Sequence, residues 1–428
     1  MFHTRASRPA VIAAALLAAF AATPVGADQA YVTSQNTGVS VLDLATLQTT
    51  GSFDLAGKGP RGIGVTRDGK RLVVATRETG GVTLLDAVTG AEVGHIKVGK
   101  NPEFVRIRGD RAFVSYEPSA KAGPPPKPGE APAKGDDDGD EEPARIAVLD
   151  LKKNKKVGDI VGGPETEGIE FSKDGKRLIV TNEADNTVTV HDIASRKLLK
   201  TIKTTEYGNR PRGIKASPDG KTYVATLEVG NKFMVMDSEF KVVKVVETGK
   251  APYGVAFDRK GERLYVAASQ DKKLEVFDAS TFDKLGEVAT GGRCWHFTFT
   301  PDDRQILLAC GKSNEVLTID VASLEVTQRL DGFDMPWGIV TYPRSMGSLD
   351  QPEGSLAQTK DPAMAGSFVC RTARRRPWPP PAGFTSPCHP CHPYRASRAS
   401  RPSAVRPPCN RWSASDPRSR RRSAGRCA

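Results

Sequence analysis

Seven positions in a recurring opening motif, each just before its glycine or the residue standing in for it, hold Arg61, Glu103, Glu167, Arg212, Tyr253, Trp295 and Trp337. Two guanidiniums, two carboxylates and three aromatic rings can do chemistry together. Arginine forks grip carboxylate or phosphate, and ring faces receive a planar or cationic group. The same set also has a self-contained use, in which Arg61 pairs with Glu103, Arg212 pairs with Glu167 and the aromatic rings fill the space between. Both readings require the seven side chains to meet, and that is a demand on the elements that carry them.

The sixth motif departs from the rest. "RCWHF" puts Cys294 where proline usually stands and His296 where glycine usually stands. A histidine at a rim beside Arg293 and Trp295 is a candidate ligand or acid/base group. His95 and His191, the other histidines within the repeats, fall on third or fourth strands, so a three-histidine metal site is not expected. Cys294 and Cys310 flank a hairpin that turns near Asp302 and Asp303. Counting outward sets the two opposite one another, which admits either a disulfide or a pair of buried thiols. Near the C-terminus "CHPCH", with Cys388, Cys391 and His392, has the spacing that attaches covalent haem c. No methionine follows Met364 to act as a distal ligand and no helical pattern surrounds the motif, so no cofactor is expected.

The elements that would gather the seven positions are legible from a second repeat. Asp43, Asp86, Asp150, Asp192, Asp237, Asp278 and Asp320 each end a short apolar run, at spacings of 43, 64, 42, 45, 41 and 42 residues. A unit of about 40 to 45 residues filled with strands, interrupted once, is the period of propeller blades. Between Pro252 and Asp278 strands are expected at 254–257, 264–268 and 274–277, with a fourth at 284–289. Asp-Gly turns at Asp68-Gly69, Asp174-Gly175 and Asp219-Gly220 supply the positive φ of a tight reversal. The first unit lacks its opening strand, which reappears after the last unit as "MPWGIVTY" at residues 335–342. The expected fold is all-β: a seven-bladed β-propeller of four-stranded antiparallel blades, closed by pairing of the N- and C-terminal strands.

The net charge of +12 on 428 residues does not indicate a nucleic-acid partner, because from Arg371 onward there are fourteen arginines and one acid, Asp416, leaving the repeats near neutral. Residues 1–27 read as a secretory signal peptide with a basic start and an apolar stretch too short to span a bilayer, so a soluble, periplasmic protein is expected. The propeller then occupies residues 28–350, with a Pro-, Gly- and acid-rich disordered insertion at 117–144. Residues 351–428 form an Arg/Pro/Ser-rich tail that cannot bury a core, with the composition of a frameshifted reading frame.

The strings "RLYVAASQDKKLEVFD" and "RLIVTNEADNTVTVHD" resemble the YVTN-repeat family of seven-bladed propellers, over roughly residues 31–342. That resemblance implies exported proteins, some associated with quinoprotein-dependent alcohol catabolism and some with nucleic-acid or surface binding. Propeller relatives include lactonases and the haem-bearing domain of nitrite reductases. No convergent acid/base or metal set is visible at the rim, so the expected function is a non-enzymatic, monomeric binding or scaffold module. Its partner is a periplasmic protein or a small planar or anionic ligand. A lactonase-like hydrolase and a haem-linked electron-transfer accessory protein are the alternatives.

Overall fold

Apolar runs that alternate and then break at Gly, Asp or Asn produce strand after strand. The computed structural model describes residues 28–118 and 143–351. The proposed signal peptide, most of the acidic insertion and the tail with Cys388, Cys391 and His392 lie outside the described residues. Among the described residues 28 strands form seven four-stranded antiparallel sheets, each a meander from channel to periphery. No helix there is long and apolar enough to cross a membrane.

Burial follows position in the blade. The inner strand Pro252–Phe257 is buried throughout, whereas the outer strand Leu198–Lys203 is mostly exposed. Middle strands are covered on both faces by neighbouring blades and so read as continuous apolar runs. The repeated aspartate has a local cause. The Asp43 carboxylate accepts the amides of Ala45 and Thr46, and Asp320 accepts those of Ala322 and Ser323, closing the turn into the fourth strand.

Blades are numbered here by their second strands, so blade 1 is the composite one. Its inner strand Pro336–Tyr342 pairs with Gln29–Ser34, with Ala30 opposite Thr341 and Val32 opposite Ile339. Blade 2 then opens at Pro60, blade 3 at Val105, and blades 4 to 7 at Thr166, Pro211, Pro252 and Cys294. The inner strands of blades 2, 4, 5 and 6 each carry one extra residue against their neighbour, as where Pro60 faces Thr76 but Ile63 faces Val74. Blades 1 and 7 have the same irregularity.

A threonine on the second strand ties this bulge to the next blade. The Thr181 hydroxyl accepts the Gly168 amide at 2.7 Å and donates to the Arg212 carbonyl at 2.5 Å. Thr33 does the same between Gly338 and Arg61, and Thr226 between Gly213 and Tyr253. The glycine is needed for this approach: a Cβ on Gly338 would lie 2.9 Å from the Arg61 carbonyl oxygen.

Of the two states the sequence admits for its cysteines, the structure contains the disulfide, between Cys294 and Cys310 at directly opposed positions. Residues beyond Tyr342 turn back into the channel. There the Phe299 amide donates to the Met346 carbonyl and the Ser348 amide to the Phe297 carbonyl, each at 2.8 Å, along the free inner edge of blade 7.

The aspartate turns make stability pH-dependent. Bonds from the Ser280 hydroxyl and from the Thr281 and Ser280 amides hold the Asp278 carboxyl down to about 2. The unfolded value is about 3.9. The stabilisation is therefore full above about pH 4 and disappears as pH falls through about 2. Thermal midpoints of wild type and Asp278→Asn should differ at about pH 6 and converge by about pH 2; a gap unchanged across that range would contradict this role for the carboxylate.

Candidate functional site

An extra residue in a strand redirects the side chain beside it, and here it turns the residue after each opening position toward the channel mouth. As a result Arg61, Glu103, Glu167, Arg212, Tyr253, Trp295 and Trp337 line a single cavity of about 330 Å³. Blade 3 reaches the same outcome with a shorter inner strand, Val105–Arg108. Its Glu103 amide is held by the Ser115 carbonyl and its Phe104 amide by the Ser115 hydroxyl, both at 3.0 Å.

Two further repeat positions complete the wall. Two residues before each rim residue the backbone is left-handed, with φ between 47° and 60° at Gly59, Asn101, Glu165, Arg210, Ala251, Arg293 and Met335. Of these, Asn101, Glu165, Arg210 and Arg293 line the cavity. The carbonyl at this position accepts the amide that follows the second strand, as from Glu183 to Glu165 at 2.8 Å and from Gln35 to Met335 at 3.2 Å; in blade 3 the Glu117 amide instead meets the Lys100 carbonyl, one residue earlier, at 2.8 Å. These bonds bring Gln35, Arg77, Glu117 and Glu183 to the cavity as well. These eight side chains occupy fixed places in the repeat, so aligning the units on either side of the Pro-x-Gly motif would have located them.

Both expected ion pairs form. Arg61 Nη1 lies 2.5 Å from Glu103 Oε1, and Arg212 Nη1 bonds Glu167 and Glu183 while its Nε meets Glu228 Oε2 at 2.6 Å. The Tyr253 hydroxyl donates to Glu167 Oε2 at 3.0 Å, and its ring lies 5.1 Å from the Arg212 guanidinium carbon. Glu103 holds the Arg61 guanidinium above its ordinary value, against the opposing effect of burial. Burial also works against the Arg212 cation, but the Glu167 and Glu228 carboxylates outweigh it. Burial and Glu167 push the Tyr253 phenol well above its usual range. Desolvation, with Glu165 and Glu103 nearby, pushes the Glu117 carboxyl up to about 7.

The pairs do not fill the mouth, and the two blades that depart from glycine supply a layer of rings deeper in the channel. Phe104 and His296 project beneath the rim with ring centroids 5.9 Å apart, and Trp337 and Tyr253 pack on His296 at 4.4 and 5.4 Å. His296 was expected at the rim; the structure places it one level deeper, buried and not lining the cavity. As the residue after the bulge, it points down the channel. Its Nδ1 faces the Ser348 hydroxyl at 3.1 Å, and burial together with Lys215 pushes its pKa down to about 3, so it is neutral at physiological pH.

Lower in the channel, Arg106 reaches the Leu349 carbonyl at 2.6 Å and Glu170 at 2.9 Å, while Lys215 reaches the Asp350 carbonyl at 3.2 Å. The returning segment thus blocks the far side, and the rim cavity is a cup. Trp295 on its wall is flanked by the Cys294–Cys310 bond, packs against Gly311 and carries the Arg293 guanidinium 5.3 Å above its ring.

A YNCE-like beta-propeller family model matches residues 5–111, and a cytochrome D1 heme domain model matches residues 142–293. No curated protein matches the sequence. Solved structures with this fold include a functionally unknown protein from Desulfotomaculum acetoxidans, at 16% identity and TM-score 0.61, covering 73% of this chain and 98% of that one. The periplasmic gluconolactonase of Pseudomonas aeruginosa is similar at 16% identity and TM-score 0.59, covering 73% and 99%. Dihydro-heme d1 dehydrogenase NirN, solved in complex with DHE, is similar at 16% identity and TM-score 0.54, covering 75% and 76%.

The haem that two of these matches bring to mind needs an axial ligand. No His, Cys or Met is among the cavity-lining residues, and the Tyr253 hydroxyl is committed to Glu167. The rim residues do not fit that group.

Because Arg212 is buried and compensates three carboxylates, Arg212→Met should cost about 3–5 kcal/mol in urea unfolding. A loss below about 1 kcal/mol, the size expected of an exposed pair, would contradict the network.

Proposed function

We propose that this YNCE-like seven-bladed β-propeller is a binding module that holds a small planar or anionic ligand in the cup at its channel mouth. The observation that carries the reading is the composition of the wall: a cavity of about 330 Å³ is lined by the indoles Trp295 and Trp337 together with five arginines. Pockets that bind small molecules start at about 300 Å³ and combine apolar surface with a few placed polar groups. Export follows from the N-terminal sequence, and with it a periplasmic location.

A second reading has one specific observation behind it. Glu117, with its carboxyl near 7, is a group able to take a proton from water close to neutrality, as a lactonase-like hydrolase requires. The fold shared with a gluconolactonase is compatible with that activity and does not establish it.

Thermal-shift titration with benzoate and indole-3-acetate tests the binding reading. The midpoint should rise with ligand, corresponding to about 2.7 kcal/mol at a hundred times Kd. Trp337→Ala and Arg61→Ala should abolish the rise. No shift with either compound, or a shift that survives both substitutions, removes the cup as the site and leaves a protein partner as the ligand. Gluconolactone hydrolysis that drops by about 10²-fold or more in Glu117→Gln would instead favour the hydrolase.

A further inference from the structure

The charges of the cup are sorted by blade. Its carboxylates, Glu103, Glu117, Glu165, Glu167 and Glu183, come from the adjacent blades 3 and 4. Its guanidiniums, Arg61, Arg77, Arg210, Arg212 and Arg293, come from blades 2, 5 and 7, and its indoles from blades 7 and 1. The deep charges are consumed by one another: Arg61 by Glu103, and Arg210 with Arg212 by Glu167, Glu183 and Glu228. At the lip the balance differs. Arg77 meets its sequence neighbour Glu78 at 3.3 Å, both well exposed, and Arg293 lies over the Trp295 ring. Glu117 stands in blade 3, across the ring from Arg293 in blade 7.

We infer that the occupant is a small zwitterion with a planar body: its ammonium meets Glu117, its carboxylate meets Arg293 and Arg77, and its plane lies on Trp295 and Trp337. This deepens the binding reading and rests on it. The ion pairs support the inference: the deep arginines already meet carboxylates, which leaves Arg293 and Arg77 for a ligand carboxylate and Glu117 for its ammonium. The surroundings of Glu117 agree. Burial raises its carboxyl most, Glu165, Glu103 and Glu167 add to the rise, and Asn101 alone among the contributing groups lowers it. An ammonium arriving there takes the place of a proton.

Three probes with the same ring, the first carrying its two charges at opposite ends, separate the possibilities: 4-(aminomethyl)benzoate, 4-methylbenzoate and 4-methylbenzylamine, titrated calorimetrically into the full chain. The zwitterion should bind at least about tenfold more tightly than either single-charge probe, a gap of about 1.4 kcal/mol. Glu117→Gln should bring 4-(aminomethyl)benzoate to the affinity of 4-methylbenzoate. Arg293→Gln should bring it to that of 4-methylbenzylamine. Near neutral pH, binding of 4-(aminomethyl)benzoate should release protons, seen as a buffer-dependent heat that disappears in Glu117→Gln. If 4-methylbenzoate binds as tightly as 4-(aminomethyl)benzoate, or Glu117→Gln leaves the gap intact, the zwitterion is wrong and the cup remains an anion site. If none of the three binds, both readings fall. Unchanged melting of each variant in the absence of ligand checks that folding is preserved.

Discussion

The rim owes its existence to one strand pairing between residues about three hundred apart in sequence. Pro336–Tyr342 supplies the inner strand of a blade whose other three strands begin at Gln29. Without it, Gln29–Ser34 would be an open edge, and Trp337 would have no fixed relation to Arg61 in the next blade. Closing the ring orders non-local contacts at an entropic cost that grows only slowly with loop length. Afterwards, every inner strand has a neighbour on both sides. The Thr33 hydroxyl spans the seam, bonding Gly338 within the composite blade and the Arg61 carbonyl in blade 2.

From that constraint the site follows in steps. The ring fixes seven inner strands, bulges in six of them and a shortened strand in blade 3 turn one residue of each blade toward the mouth, and the left-handed residue two places earlier brings a second set of side chains up around the first. Carboxylates and guanidiniums then lie close enough that pairing is unavoidable. The deep ones neutralise each other and make the wall rigid. Those nearer solvent keep capacity to meet a ligand, and the ring layer of Phe104 and His296 fills the channel below.

The architecture was legible because its signals are local and physically required. An aspartate must accept two amides to make the turn into the fourth strand, so it recurs at every blade and sets the period. The glycine of Pro-x-Gly marks close approach of the next blade, so the residue before it could be placed at the rim, and all seven residues so placed line the cup. Counting outward from the hairpin turn set Cys294 against Cys310, although sequence alone did not decide between a disulfide and two thiols. The depth of His296 was not legible, since one extra residue in a strand reverses which way its successor points. Glu117, Glu165 and Glu183 were missed because they sit outside strands, where direction depends on a left-handed backbone and on a bond to another segment. The strand-like return at Met346–Ser348 was hidden for a similar reason: it pairs with an inner edge that exists only once the ring has closed.

Amide hydrogen exchange on the intact protein tests the closure most directly. Residues 29–34 should exchange as slowly as the interior strand Tyr223–Leu227, because both are flanked on either side by paired strands and open only with the whole ring. If residues 29–34 instead exchange at the rate of a frayed edge while residues 223–227 stay protected, the composite blade does not form. The seven rim residues would then share no mouth.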